Sequence, residues 1–405
     1  MNFHPLIHFK TAPGCGQTGR MLPLPPLYPI TDATRPESLS AQIRRLGEAG
    51  FPLVQFRGKP LDTGTQWAEL RQALAEAAAN GGWPLICLND RADLAMLAAR
   101  EGLAPWGLHL GQGDLPAAEV RKLPGLLATH IGASSHEPAE WASVDAACDH
   151  AGIGPFRGTA TKADHAAPIG LEGLRAGCAA LRAQGLAPIA IGGLTLADAI
   201  PCFEAGAEAL AMVGEVHRSE DPAALGWEAQ RQRWRVRPPF LRGQGIVLIG
   251  GSGAGKTTVG RQLAYQLALP FHDLDAAIED REGRTVAEIF ATRGEAAFRH
   301  LEADVLPRLL VRPAVVALGG GAWESPVNRG AVTSADFAPL WLAESPARAW
   351  ERAGRDPQRP LAQDRAAFML RWAARMPNWS LAPMVLPFGH SSGELASALL
   401  GAASE

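Results

Sequence analysis

Between Leu27 and about Val216 the chain repeats one pattern eight times: a short apolar run of β-prone residues, then a helical stretch rich in Ala and Leu. The runs are LYPITD (27–32), LVQFR (53–57), LICLND (85–90), GLHLGQ (107–112), HIGASS (130–135), AGIGP (151–155), APIAIGG (187–193) and ALAMVG (209–214). Near-continuous apolar strands are buried on both faces, and helices between them make their neighbours parallel. Eight units in about 190 residues fit a compact (β/α)8 TIM barrel better than an eight-stranded doubly wound sheet. Asp32, Gln55, Arg57, Lys59, Asn89, Asp90, His109, Gln112, Asp114, Ser134 and Lys162 all fall at or just beyond the carboxyl end of a run. Barrel enzymes build their sites on that face.

The pattern stops well short of the end of the 405-residue chain, which is too long for one ordinary domain. Residues 231–244 (RQRWRVRPPFLRGQ), with five Arg and a Pro pair, read as an extended basic linker. GIVLIG (245–250) then runs as a strand into a Gly-rich loop and a helix, opening a second α/β unit that reaches residue 405. The expected organisation is a disordered extension over 1–20, a barrel over 21–230, the linker, and a P-loop domain over 245–405. The extension lacks the apolar core and cleavage site of a secretory signal, and Met21 is an alternative start.

Composition removes several classes of function. A 47% hydrophobic, 20% charged chain is globular, and a net charge of −3 gives no global reason to bind nucleic acid. No apolar run approaches the roughly 18 residues of a membrane span. The five cysteines, odd in number and without C-x-x-C spacing, read as buried thiols of a cytoplasmic protein. Of the 38 basic residues only five are lysines: Lys10, Lys59, Lys122, Lys162 and Lys256. Where Arg supplies generic positive charge, a retained Lys points to chemistry that needs a compact ammonium.

In the second half, Gly250-Gly251-Ser252-Gly253-Ala254-Gly255-Lys256-Thr257 matches G-x-x-x-x-G-K-[ST] between a strand and a helix. Backbone N–H groups of Gly251, Ser252, Gly253, Ala254 and Gly255, with Thr257 and Thr258 at the helix start, suit the phosphates of a nucleotide. Lys256 reaches the β/γ-phosphates in such a loop, and the Thr257 hydroxyl serves Mg²⁺. Downstream lie Asp273-Leu274-Asp275, GEAAFRHLE with Arg299, LGGGAW with Gly319, Gly320 and Gly321, RPL with Arg359, and RMPNW with Arg375. One aspartate can serve Mg²⁺ and the other an acceptor hydroxyl, while two arginines suit a carboxylate.

In order and spacing these motifs closely resemble the shikimate kinases over about residues 245–390, a P-loop fold like the NMP kinases with a parallel sheet. The resemblance implies ATP as co-substrate and shikimate as acceptor, bound by Asp275, Arg299, Gly320 and Arg375. It gives Asp273 to Mg²⁺, Arg359 to a lid over ATP, and the catalytic roles to Lys256, Asp275 and Arg359. Asn378-Trp379 stands where the family usually has a tyrosine.

The first half carries VQFRGK (54–59), LNDRAD (88–93), HLGQGDL (109–115), IGASSH (131–136), GIGPFRGTATK (152–162) and IAIGG (189–193). Asp90 and Asp114 are hard oxygen ligands suited to Mg²⁺. Arg57, Lys59, Asn89, Ser134 and Lys162 can surround a pyrophosphate, and Gly192, Gly193 and Gly214 suit the phosphate corner of a barrel. Two phosphate-binding regions point to joining or splitting two phosphorylated molecules.

This set resembles thiamine-phosphate synthase over about residues 25–218. That family joins hydroxymethylpyrimidine diphosphate to a thiazole phosphate and releases pyrophosphate. The resemblance assigns Gln55 to the pyrimidine, and Arg57, Lys59, Asn89, Ser134 and Lys162 to the diphosphate, with Lys162 counted as catalytic. It gives Asp90 and Asp114 to Mg²⁺, Thr159 and Thr161 to the thiazole, and Gly193 with Val213-Gly214 to its phosphate. Gly58 and Gly214 depart from the family's usual acidic residue and Ser.

The expected function is a bifunctional cytoplasmic enzyme acting on small molecules, without nucleic-acid or membrane partners. Alternatives are a thiazole tautomerase marked by His136, a non-catalytic ligand sensor, or a kinase redirected to a thiamine-precursor alcohol. An alcohol without a carboxylate would leave Arg299 and Arg375 without a partner.

Overall fold

A computed structural model of the chain describes residues 24–127, 129–158, 167–354 and 364–403. Its internal contacts divide it into two units, Met1–Val236 and Arg237–Glu405. The reading of residues 1–20 as an extension, and of Met21 as a start, falls outside the described residues.

All eight apolar runs become strands: β1 (Leu27–Pro29), β2 (Leu53–Phe56), β3 (Leu85–Asn89), β4 (Gly107–Leu110), β5 (His130–Ser135), β6 (His150–Ile153), β7 (Ala187–Ile191) and β8 (Ala209–Met212). Every pairing is parallel, in the order β1-β8-β7-β6-β5-β4-β3-β2. A parallel bridge between Ile30 and Gln55 joins the two ends, and Thr31 N–H donates to the Gln55 carbonyl at 2.9 Å. The architecture is the expected barrel rather than an open sheet. Its interior is filled by Tyr28, Ile30, Leu53, Cys87, Ala187, Ile189, Ala209 and Ala211, so only the strand ends are left to form a site.

The basic segment differs from expectation at its start. Residues 231–236 are the last part of a helix, Pro222–Val236, not an extended linker. Gly226, Ala229, Gln230 and Trp234 form its buried face, and the Arg233 guanidinium donates to the Leu24 carbonyl at 2.6 Å. The apolar stripe begins before residue 231, so a window opened there sees charge without periodicity.

The second unit is a five-stranded parallel sheet of β9 (Gly245–Ile249), β10 (Phe271–Asp273), β11 (Val315–Ala317), β12 (Phe337–Leu342) and β13 (Met384–Val385). Its order is β10-β11-β9-β12-β13. The first strand is central and successors lie on both sides of it, which opens a crevice at the strand ends where ligands bind in such sheets. Helix Lys256–Leu267 follows the Gly-rich loop directly, started by Gly255 at φ 92°. No described helix is long and apolar enough to cross a membrane. The four described cysteines, Cys87, Cys148, Cys178 and Cys202, are buried thiols.

Candidate active sites

At the carboxyl ends of the barrel strands two cavities adjoin, sharing Arg57, Asn89, Ser134, His136 and Val213 in their walls. The inner one, about 290 Å³, is lined by Gln55, His109, Gly152, Gly192, Gly193 and Gly214 among others. The outer one, about 860 Å³, is lined by Lys59, Asp90, Gln112 and Asp114. Strand β2 delivers Gln55 and then Arg57 and Lys59, β3 ends in Asn89 and Asp90, and β5 carries Ser134. Of the residues read as barrel ligands, Gln55, Arg57, Lys59, Asn89, Asp90, Asp114, Ser134, Gly193, Val213 and Gly214 are thus brought together. Thr159, Thr161 and Lys162 lie outside the described residues.

Local hydrogen bonds set these groups. The Arg57 N–H donates to Thr31 Oγ1 at 2.8 Å, and burial holds the Arg57 guanidinium below its usual pKa against the pull of Asp90 and Asp32. His109 Nε2 lies 3.0 Å from Ser134 Oγ, and the Gln112 amide donates to the Ser134 carbonyl at 2.6 Å. Asp90 sits at φ 64°, a left-handed conformation uncommon outside glycine, and its carboxylate meets the Lys59 ammonium at 2.8 Å. Asp114 accepts from the Gly111 N–H at 2.7 Å. Burial and the facing Asp90 carboxyl nevertheless push it above the usual carboxylate range. Two hard oxygen donors that repel one another fit a divalent cation. No group of three or more His, Cys, Asp or Glu among the described residues is arranged to hold a metal. Magnesium here would therefore complete its shell with water and substrate phosphates. His136 is tethered to Glu140, through its N–H at 2.6 Å and Nδ1 at 3.2 Å.

In the second unit, the Lys256 ammonium folds back onto the carbonyls of Gly250 (2.8 Å) and Gly251 (2.9 Å). The Thr257 hydroxyl donates to Asp273 Oδ2 at 2.9 Å. Asp273 Oδ1 accepts the Asp275 N–H at 3.1 Å and so caps helix Leu274–Glu282. A hydroxyl and a carboxylate held together beside a phosphate loop fit the Mg²⁺ of a bound nucleotide.

The three consecutive glycines after β11 gather the remaining groups. A Cβ on Gly319 would stand 2.5 Å from Asp275 Oδ1 and 3.1 Å from Glu302 Oε1. One on Gly320 would stand 3.3 Å from the Arg375 guanidinium and 3.9 Å from the Ser252 N–H, and one on Gly321 would overlap Arg299. Asp275, Arg299, Arg375 and the phosphate loop therefore converge on one strand-end turn, where a side chain at Gly319 would displace the Asp275 carboxyl. Arg299 donates to Glu302 Oε2 and to Glu295, each at 2.7 Å, and Arg375 meets Glu324 at 3.0 Å. Burial, with the Asp273 charge next, pushes Asp275 up to about 6. Burial raises the fully enclosed Glu302 to about 7 against the pull of Arg299. Arg359 lies outside the described residues.

Sequence reasoning passed over Glu302 and Glu324. Glu302 follows Arg299 by three positions on one helix, a spacing that puts both on the same face. Trp379, read as a departure, is buried and its indole N–H donates to the Gly320 carbonyl at 3.1 Å, bracing the glycine turn.

Comparison with known proteins divides the chain the same way. Residues 27–216 match the family model of thiamine monophosphate synthase, and residues 252–395 that of shikimate kinase. A thiamine-phosphate synthase of Chloroflexus aurantiacus is 38% identical over 202 residues, covering 49% of this chain and 88% of its own length. A shikimate kinase of Thermobifida fusca is 42% identical over 158 residues, covering 38% of this chain and 91% of its own. The solved shikimate kinase of Acinetobacter baumannii in complex with shikimate is 34% identical, over 39% of this chain and 90% of that one, with a TM-score of 0.36. These matches favour neither the tautomerase, the sensor nor the alcohol-kinase alternative. The chain belongs to two families of transferases in tandem, the thiamine-phosphate synthases through its first half and the shikimate kinases through its second.

Proposed function

We propose that the two halves catalyse two separate reactions. The barrel joins hydroxymethylpyrimidine diphosphate to a thiazole phosphate, giving thiamine phosphate and pyrophosphate. The second half transfers the γ-phosphoryl group of ATP to the 3-hydroxyl of shikimate. The observation that carries the kinase reading is the glycine turn, against which Asp275, Arg299, Arg375 and the phosphate loop all close.

In the kinase, Arg299 and Arg375 clamp the acceptor's carboxylate in bidentate fashion. Asp275 Oδ1, buried and without a partner among the described residues, accepts the hydrogen bond of the attacking hydroxyl. A carboxyl raised to about 6 is close to the working range of a general base. Lys256 leaves the loop carbonyls for the β/γ-phosphates, and charge on the transferred group is neutralised electrostatically, with Arg359 as a further cation. Thr257 and Asp273 would hold Mg²⁺, which when bound neutralises charge on the nucleotide phosphates.

In the barrel, Gln55 orients the pyrimidine, while Arg57, Lys59, Asn89, Ser134 and Lys162 receive the departing diphosphate. Asp90 and Asp114 would hold a Mg²⁺ that supplies charge to that leaving group. Gly193 and the Val213-Gly214 backbone take the phosphate of the thiazole, whose nitrogen captures the pyrimidine cation, with Thr159 and Thr161 beside it. The chemistry needs cations more than a proton-transfer pair, which matches the side chains around the cavity.

The kinase acceptor is tested on the full chain by following ATP consumption with shikimate, hydroxyethylthiazole or hydroxymethylpyrimidine. Turnover with shikimate alone is expected. Turnover of an alcohol without turnover of shikimate overturns the assignment.

A further inference from the structure

We propose that Arg218 binds the phosphate of the second barrel substrate. Arg218 and Gly214 both line the inner cavity, together with Gly192, Gly193 and Thr195. A Cβ on Gly214 would stand 2.7 Å from one terminal nitrogen of Arg218, 3.4 Å from Cζ and 3.5 Å from the other. The guanidinium is therefore laid over the Gly214 Cα, folded back toward the cavity rather than extended from it. Gly214 is not among the glycines with positive φ, so its backbone does not demand glycine. Nor does the contact demand it, since a Cβ would displace only the end of a flexible side chain; what the distance records is that the Arg218 guanidinium lies against Gly214.

The surrounding charges leave that guanidinium for a ligand. Arg218 forms no ion pair among the described residues, although it is exposed on the cavity rim. The adjacent carboxylate, Glu215, is bound by the Leu196 N–H at 2.6 Å. Arg157, the other arginine at this corner, is clasped by both oxygens of Asp198, at 2.6 and 2.5 Å. In the wall of the same cavity the backbone turns through Gly192 at φ 99° and Gly193 at φ 63°, packed so closely on Pro155 and Gly158 that side chains are excluded. A planar fork and a side-chain-free turn lining one cavity suit a tetrahedral oxyanion. The proposed diphosphate cations Arg57 and Lys59 line the outer cavity, Arg57 shared by both and Lys59 confined to the outer one. Arg218 thus gives the inner cavity a cation of its own for a monophosphate.

This proposal rests on the synthase reading of the barrel, and its test separates the two. With the full chain, Arg218→Ala is expected to raise KM for thiazole phosphate by about tenfold or more, the scale of one charge-assisted hydrogen bond. KM for the pyrimidine diphosphate should stay within about twofold, and Arg218→Lys should recover part of the loss. With the unphosphorylated thiazole alcohol as acceptor, wild type and Arg218→Ala should be equal. An unchanged KM for thiazole phosphate overturns the proposal, as does an equal loss with the phosphorylated and unphosphorylated acceptors. If wild type forms no thiamine phosphate, the synthase reading fails. Calorimetric titration with thiazole phosphate then decides on Arg218: weaker binding in Arg218→Ala supports its role, and equal binding overturns it.

Discussion

Glu302 shows how one side chain can be both central and inconspicuous. It is fully enclosed, with one carboxylate oxygen on Arg299 at 2.7 Å and the other without a partner among the described residues, next to Gly319 and facing the same space as Asp275. Burial moves it from an ordinary value of 4.5 to about 7. The folded protein therefore holds a proton that the unfolded chain has released between those two values. By linkage, its contribution favours folding most below about 4.5 and declines as pH rises through about 7. Glu302→Gln removes that titration, so the half-inactivation temperature of the phosphotransferase should change less between pH 5 and pH 7.5 than in wild type. The same pH slope in both proteins would remove Glu302 as the source. Arg299 and Asp275 were legible from their motifs, because their spacing relative to the phosphate loop is distinctive. Glu302 was not, since a glutamate in a charged helix reads as solvated until its burial is known.

At the scale of elements, the strands were the most legible part of the chain. A strand buried on both faces leaves an unbroken apolar run, and all eight barrel runs are strands. Helix Pro222–Val236 was cut short because its buried stripe straddles the point where the arginines begin. The turn Gly319–Gly321 illustrates what a motif conceals: the sequence marks the glycines but not what presses on them. Gly319→Ala places a Cβ 2.5 Å from Asp275 Oδ1 and 3.1 Å from Glu302 Oε1, so one of these carboxyls must shift. Displacing a reacting group by about 1 Å costs about a hundredfold in rate. The phosphotransferase of Gly319→Ala should fall by about that factor while synthase activity is unchanged. Phosphotransfer at the wild-type rate would contradict the packing described for the turn.

Across the whole molecule, two of the three described lysines lie at the two proposed phosphate sites. Lys59 lies on the outer barrel cavity beside Asp90, and Lys256 lies in the phosphate loop. Lys162, also read as a phosphate ligand, lies outside the described residues, as does Lys10, whereas Lys122 pairs on the surface with Glu119 at 2.6 Å. The central claim is that one chain carries two independent transferases. Its most direct test assays purified full chain for both reactions, alongside Lys256→Ala and Asp114→Asn. Wild type should form thiamine phosphate and shikimate 3-phosphate. Lys256→Ala should lose about a hundredfold or more of the second activity and keep the first, and Asp114→Asn should do the reverse. A wild-type chain lacking either activity, or a single substitution that abolishes both, would contradict the account.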